Sequence, residues 1–161
     1  MKVETERLLI RPLAAGDRAE MLAQWSDPQN ERVPLDASPE QVLKWVEGVP
    51  WGVWERETGE LVGDCSLHFD TGFGEWELSY GFRRDRWGQG YATEAAHACV
   101  RYGFETMGIE KIVADVEPAR AQSMRVLEKC GFARVGELDD GRLFYAVTRF
   151  GARGRVARGA A

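Results

Sequence analysis

The sequence predicts a single α/β (α+β) domain in which a mixed, mostly antiparallel sheet of about seven strands is accompanied by about four helices. Three observations predict it. Between residues 51 and 83, alternating apolar segments are separated by short turns containing Gly, Asp and Thr, the pattern of an antiparallel meander. At Ala92 the period changes to helical spacing and holds for four turns. A strand, a helix and a final pair of strands then complete a crossover closed by a hairpin. With 161 residues and 44% hydrophobic side chains the chain can bury one substantial core, and no internal repeat or linker divides it.

A short strand through Leu8, Leu9 and Ile10 is closed by Pro12, and residues 17–25 place Met21, Leu22 and Trp25 at helical spacing until Pro28 ends the helix. The second helix has a strong start in Ser38-Pro39-Glu40-Gln41: an N-cap serine, proline at the first helical position, and a glutamine able to reach back. Its inward stripe reads Val42, Trp45 and Val46. Strands over 51–56 and 61–69 pair across the turn 57–60, and the turn 70–74 leads into a strand over 75–83. There Trp76, Leu78, Tyr80 and Phe82 alternate with Glu77, Ser79 and Gly81. The long helix points Ala92, Ala95, Ala96, Cys99, Val100, Gly103, Phe104 and Met107 inward and stops at Gly108. Residues 111–117 form a strand broken by Pro118, residues 121–130 a helix ended by Gly131, and 132–138 pairs with 142–149. The domain thus spans 1–149, and residues 150–161, lacking any apolar period, are expected to be a disordered basic tail.

Twenty-six acidic against 21 basic side chains, net charge -5, argue against general affinity for nucleic acid or an anionic membrane and are compatible with a cationic or amine-bearing partner. No run of about 18 apolar residues occurs, and the N-terminus is charged, which predicts a cytoplasmic protein. Cys65, Cys99 and Cys130 are odd in number and lack metal-ligand spacing, so buried thiols and no metal are expected.

The segment Arg86-Trp87-Gly88-Gln89-Gly90-Tyr91-Ala92 carries the clearest chemistry. Gly88 and Gly90 allow consecutive backbone N–H groups to converge on an anion, and the loop opens the long helix at its positive end. A phosphate or pyrophosphate is the expected ligand, with Arg83, Arg84 and Arg86 as flanking positive charge. The two glycines serve equally to shape a plain strand-to-helix connection; the arginines and the helix start tip the balance toward binding. A nucleoside-triphosphatase loop is excluded because no Gly-Lys-Ser/Thr follows, and a dinucleotide fingerprint because Thr93 occupies the third glycine position.

Three collinear segments extend this reading: Glu4-Thr5-Glu6-Arg7-Leu8-Leu9-Ile10-Arg11-Pro12-Leu13, Trp87 to Ala95, and Ser123-Met124-Arg125-Val126-Leu127-Glu128-Lys129-Cys130-Gly131-Phe132. On them the chain resembles the GNAT superfamily of acyl-CoA N-acyltransferases, in particular its branch of ribosomal-protein N-terminal acetyltransferases, over nearly all of residues 3–149. The resemblance implies a sheet splayed between its fourth and fifth strands, here 75–83 and 111–117, with the pantetheine arm of acetyl-CoA in the gap. It also implies a pyrophosphate held by backbone N–H groups of Gly88, Gln89, Gly90, Tyr91 and Ala92, and a thioester carbonyl facing backbone donors at Leu78, Ser79 and Tyr80. Trp87 opens the loop where many relatives have glutamine or arginine. Arg120 replaces a usual asparagine, so a side-chain contact to the cofactor is lost or becomes a charged one.

The activity implied is acetyl transfer to a primary amine by direct attack in a ternary complex, with a protein or peptide N-terminus as the leading acceptor. A small amine such as an aminoglycoside, polyamine or amino acid is the alternative, and a CoA-binding sensor without turnover is a third reading, encouraged by Arg120 and Leu127. A homodimer is compatible with all of them. Glu77 matches the family's frequent carboxylate base on the fourth strand and points opposite to Trp76 and Leu78; Glu75 is its understudy, and a solvated salt-bridge role is the plain alternative. The family's usual tyrosine acid is Leu127 here, which leaves Ser123, also counted among the cofactor-binding residues, as proton donor or merely as helix cap. His97 reads as solvated, His68 as a strand end able to line the substrate cleft, Cys130 as a buried helix end and Tyr145 as core or cleft wall. An α-amine with pKa near 8 is roughly one-tenth neutral at pH 7, against about one in 2,500 for a lysine amine, which favours a weakly basic acceptor.

Overall fold

In the computed structural model, which describes residues 1–30 and 32–151, the alternating segments become eight strands and the helical-period segments four long helices. In chain order these are β1 (Val3–Glu4), β2 (Leu8–Pro12), α1 (Ala15–Ser26), α2 (Pro39–Gly48), β3 (Trp51–Glu55), β4 (Leu61–Asp70), β5 (Glu75–Phe82), α3 (Tyr91–Glu105), β6 (Lys111–Val116), α4 (Ala121–Lys129), β7 (Ala133–Glu137) and β8 (Leu143–Thr148). Short 3-10 turns occupy Pro28–Asn30 and Arg84–Arg86. The strand beyond the expected seven is β1, which sets Val3 opposite Ile10 and Glu4 opposite Leu9; two residues are too few to show a period. The strand order is β1-β2-β3-β4-β5-β6-β8-β7. Only a crossover can join parallel neighbours, and α3 supplies it between β5 and β6. The pairs β1–β2, β2–β3, β3–β4, β6–β8 and β7–β8 are antiparallel.

The chain divides into two compact units. The first comprises residues 1–66 and 79–95. Its core joins Leu13, Met21, Val42, Val46, Trp54 and Leu61, with Leu9, Leu22 and Trp25 packed against it. The cap expected for α2 is present in both directions: Gln41 N–H donates to Ser38 Oγ at 3.3 Å, and Ser38 N–H to Gln41 Oε1 at 2.8 Å. The inward stripe of α2 is narrower than expected. Val42 and Val46, one turn apart, are buried, whereas Trp45 remains 41% exposed because this ten-residue helix buries only one edge.

An ion pair lies under the same unit. Arg32 Nη2 donates to the buried Asp64 at 2.5 Å, with the guanidinium 4.7 Å from the Trp25 ring. A side chain at Gly81 would collide with that guanidinium and push it from its place beside Asp64. Burial pushes the Asp64 carboxyl above the usual range, opposed by the Arg32 charge and hydrogen bond.

The second unit comprises residues 67–78 and the chain from Ala96 onward. Ile112, Val113, Leu127, Phe132, Tyr145 and Val147 are buried. Strand β6 pairs with β8 over six rows, while β5 and β6 share only Trp76↔Ile112 and Glu77↔Val113. That short ladder matches the expected splay between 75–83 and 111–117. The helix α4 stops as expected at Gly131, with Phe132 N–H donating to the Leu127 carbonyl at 3.0 Å. Residues 149–151 are helical, and the tail expected from residue 150 lies, from 152 on, outside the described residues. No helix among the described residues is long and apolar enough to cross a membrane.

Replacing Arg32 by Leu strands a buried carboxylate, so urea unfolding at pH 7 should show a loss of roughly 3–5 kcal/mol. A carboxyl whose folded-state pKa is raised contributes stability in its protonated form, present below about pH 4 and lost as pH climbs through the folded value. The deficit of Arg32→Leu relative to the native chain should therefore shrink toward pH 4. A pH-independent deficit would refute this account of the pair.

Candidate active site

In the first unit, the segment between β5 and α3 is shaped by two left-handed residues, Gly88 at φ 74° and Gly90 at φ 81°. Any side chain at these positions strains the backbone, and around Gly88 the space for a Cβ is open. The first helical bond of α3 runs from Glu94 N–H to the Gly90 carbonyl at 3.0 Å, so the N–H groups of Tyr91 and Ala92 precede it and have no carbonyl one turn behind. Open backbone, a helix start and two glycines fit a pyrophosphate held by amide dipoles.

The loop is pinned on every side. Trp87 Nε1 donates to the Phe82 carbonyl at 2.9 Å, which explains an indole at this position, and Gln89 Nε2 donates to the Asp85 carbonyl at 3.2 Å. Tyr91 Oη donates to Glu55 Oε2 at 2.7 Å, and Glu55 also faces Arg86 Nε at 3.3 Å. The Tyr91 hydrogen bond is the chief reason the Glu55 carboxyl lies below its ordinary value. The flanking positive charge expected around the loop is largely paired within the protein. Arg83 binds Asp85 at 2.6 Å, and Arg86 binds Glu60 at 2.6 Å. Arg84 lies 5.6 Å from the Trp87 ring, and its N–H donates to Asn30.

In the second unit, Glu77 on β5 is the centre of a polar cluster. Its side chain is 13% exposed and its Oε2 lies 3.2 Å from His68 Nε2 on β4. Ligand-type atoms of His68, Asp70 and Glu77 fall within 4.8 Å of one another. Asp70 is fixed by the turn that joins the two strands, accepting from Phe73 N–H at 2.9 Å. Asp115 on β6 receives Arg142 Nη1 at 2.7 Å; burial raises its pKa, as does the charge of Glu77, against Arg142. The imidazole of His68 is pushed above its ordinary pKa chiefly by the hydrogen bond to Glu77, against burial, with help from the charges of Glu77, Asp70 and Asp115. Glu75 is held by Lys111 Nζ at 2.8 Å, which separates the understudy from this cluster's chemistry.

Ser123 is half-buried and is the third residue of α4, whose cap position belongs to Arg120; the serine is not the cap. Arg120 makes only an exposed pair with Glu117 at 3.7 Å among the ion pairs of the described residues. Leu78 is buried, and Ser79 and Tyr80 continue β5 toward the glycine loop. His97 is exposed, Tyr145 is buried in β8, and all three cysteines are buried thiols outside any disulfide. Burial pushes the Cys130 thiol to about 12, which removes it as a nucleophile at neutral pH. Sequence reasoning did not assign roles to Thr5, Arg7, Glu55, Glu94, Asp115 or Arg142. Thr5, Arg7 and Glu94 lie inside the resemblance segments; the rest carried no local signal, because their partners are distant in sequence.

Comparison with known proteins identifies the family and the fold. The acetyltransferase (GNAT) domain model matches residues 7–133, and the chain belongs to that family. It is an N-acetyltransferase that depends on acetyl-CoA. The chain is 27% identical over 151 residues to the uncharacterized N-acetyltransferase p20 of Bacillus licheniformis, covering 84% of each. A crystal structure of a GNAT-family acetyltransferase from Bacillus anthracis superposes with a TM-score of 0.78 at 27% identity, over 92% of this chain and 98% of that one. An aminoglycoside acetyltransferase solved with coenzyme A and kanamycin shares the fold, at a TM-score of 0.74 and 19% identity over 91% and 98% of the two chains.

By NMR titration the imidazole of His68 should give up its proton above the ordinary value of about 6.5, and Glu77→Gln should return it toward that value. The associated stability is fully present below about pH 6.5 and is lost as pH rises through the folded value. An unshifted His68 in the native chain would contradict the pairing.

Proposed function

We propose that this acetyltransferase moves acetyl from acetyl-CoA to the α-amine of a protein or peptide N-terminus by direct attack in a ternary complex. The observation that carries the reading is the half-buried His68–Glu77 pair at 3.2 Å, a proton acceptor built on the strand that runs on into the glycine loop. Acetyl-CoA supplies an activated thioester. Backbone N–H groups of Gly88, Gln89, Gly90, Tyr91 and Ala92 hold its pyrophosphate, with Arg83, Arg84, Trp87 and Arg120 at the margins. Leu78, Ser79 and Tyr80 provide backbone donors for the thioester oxygen.

Glu77 accepts the proton of the attacking amine, directly or through water, as the new C–N bond forms and the C–S bond breaks. Ser123 gives a proton to the departing thiolate and recovers one from solvent. His68 holds its proton against Glu77 through their hydrogen bond, so Glu77 is freed to accept from the amine when the imidazole is neutral. Activity should rise with pH as His68, whose pKa is displaced upward chiefly by its hydrogen bond to Glu77, gives up its proton. A weakly basic α-amine suits such a modest base better than a lysine amine does.

A polycationic small amine is the second reading, favoured by the carboxylates of Asp70 and Asp115 beside Glu77. Thiol release measured with a peptide series, a polyamine and an aminoglycoside separates the two, and release with none of them despite acetyl-CoA binding supports the sensor reading. In the same assay Glu77→Gln should lower kcat by roughly 10²–10⁴-fold. An unchanged rate would remove Glu77 as the base.

A further inference from the structure

The N-terminal segment before β2 reaches the glycine loop through a single guanidinium. Glu94, in the first turn of α3, accepts at Oε1 from Thr5 Oγ1 at 2.6 Å and Arg7 N–H at 2.9 Å, while its Oε2 accepts from Arg7 Nε at 2.7 Å and lies 2.6 Å from Arg7 Nη2. The remaining arm of Arg7, Nη1, donates to the Gln89 carbonyl at 2.8 Å, in the middle of the loop. The same guanidinium stacks 4.5 Å from the Tyr91 ring, and a Cβ on Gly90 would touch its Nη2 at 3.4 Å. One side chain thus meets Gln89, Tyr91 and Glu94 and lies against Gly90, all within the first unit.

This arrangement has a directional consequence. When Nη1 takes the Gln89 carbonyl oxygen, that carbonyl is turned toward the N-terminal segment, and the Gly90 N–H of the same planar trans peptide points the opposite way. Burial alone raises the pKa of Glu94, but the hydrogen bonds from Thr5 and Arg7 outweigh it and the carboxyl ends below its ordinary value, so it is ionised at neutral pH. The Arg7 charge is therefore matched by Glu94. A planar fork with five donors can do this, and a lysine ammonium cannot reach carboxylate and carbonyl in the same geometry.

We propose that Arg7 is a positioning residue that sets the glycine loop in its anion-receiving conformation before acetyl-CoA arrives. The proposal rests on reading that loop as the pyrophosphate site. Arg7 need touch neither acetyl-CoA nor acceptor; it holds carbonyl Gln89 and helix start Glu94 in register, so that the N–H groups between them are preorganised.

The test measures steady-state kinetics and calorimetric binding of acetyl-CoA for Arg7→Ala, Arg7→Lys, Glu94→Gln and Gly90→Val, with near-ultraviolet circular dichroism as the check on folding. Arg7→Ala should raise Kd and KM for acetyl-CoA by about tenfold or more, with KM for the acceptor and kcat within about twofold. Arg7→Lys should keep the charge yet recover only part of the affinity, and Glu94→Gln should lie with it. If Arg7→Ala fails to fold, Arg7→Lys and Glu94→Gln decide the matter by the same split. Should Gly90→Val weaken binding while every folded Arg7 and Glu94 variant binds normally, the latch is wrong and the loop reading stands. Should Gly90→Val bind acetyl-CoA as the native chain does, the loop reading fails and the latch fails with it. A loss shared by kcat and both KM values would mark Arg7 as merely structural and overturn the proposal.

Discussion

Backbone N–H groups make a good anion site only when the chain cannot relax away from the geometry that aims them. A glycine loop is the least restrained stretch of backbone, so its stiffness must come from outside. In this chain it comes from polar side chains that clamp the loop at both ends. Trp87 and Gln89 tie it to the end of β5 and the 3-10 turn, Tyr91 ties it to Glu55 on β3, and Arg7 ties it to the N-terminal segment. The left-handed values at Gly88 and Gly90 are the backbone's share of the same constraint.

This constraint also explains an electrostatic peculiarity. The chain is acidic overall, and the arginines around the loop are largely matched by Glu55, Glu60, Asp85 and Glu94. What remains for an anion is the dipole of α3 and the oriented amides, which need no net positive charge nearby. The carboxylates are structural members: they fix the arginines, and the arginines fix the loop. The other functional cluster follows a different logic. Around Glu77 the carboxylates outnumber the cations, and the imidazole of His68 responds by holding its proton more tightly. In the proposed reaction that surplus of negative charge serves proton transfer and attraction of an amine.

Much of the fold was legible because it is written locally. The capping box at Ser38 and Gln41, the alternation along β5 and the helical period from Ala92 each depend on neighbours a few residues away, and each appeared where the sequence placed it. Trp45 was misjudged as core because periodicity gives the side of a helix but not how wide a stripe its neighbours cover. The two-residue β1 escaped because its existence depends on Ile10 and Leu9 across the ladder. At the candidate site the loop was readable from two glycines and a helix start. Its clamps were not, since Arg7 and Glu94 are separated by 86 intervening residues and a charge pair leaves no periodic trace. His68 was visible as a strand end, and only the folded structure shows that it meets Glu77.

The central claim is that acetyl-CoA is held by the backbone amides of residues 88–92. It is tested most directly by two-dimensional amide NMR of the labelled protein during titration with CoA. Binding should move the N–H resonances of Gly88, Gln89, Gly90, Tyr91 and Ala92 together, saturating at the same concentration as binding measured by calorimetry. Saturation of CoA binding with those five resonances unmoved would contradict the account.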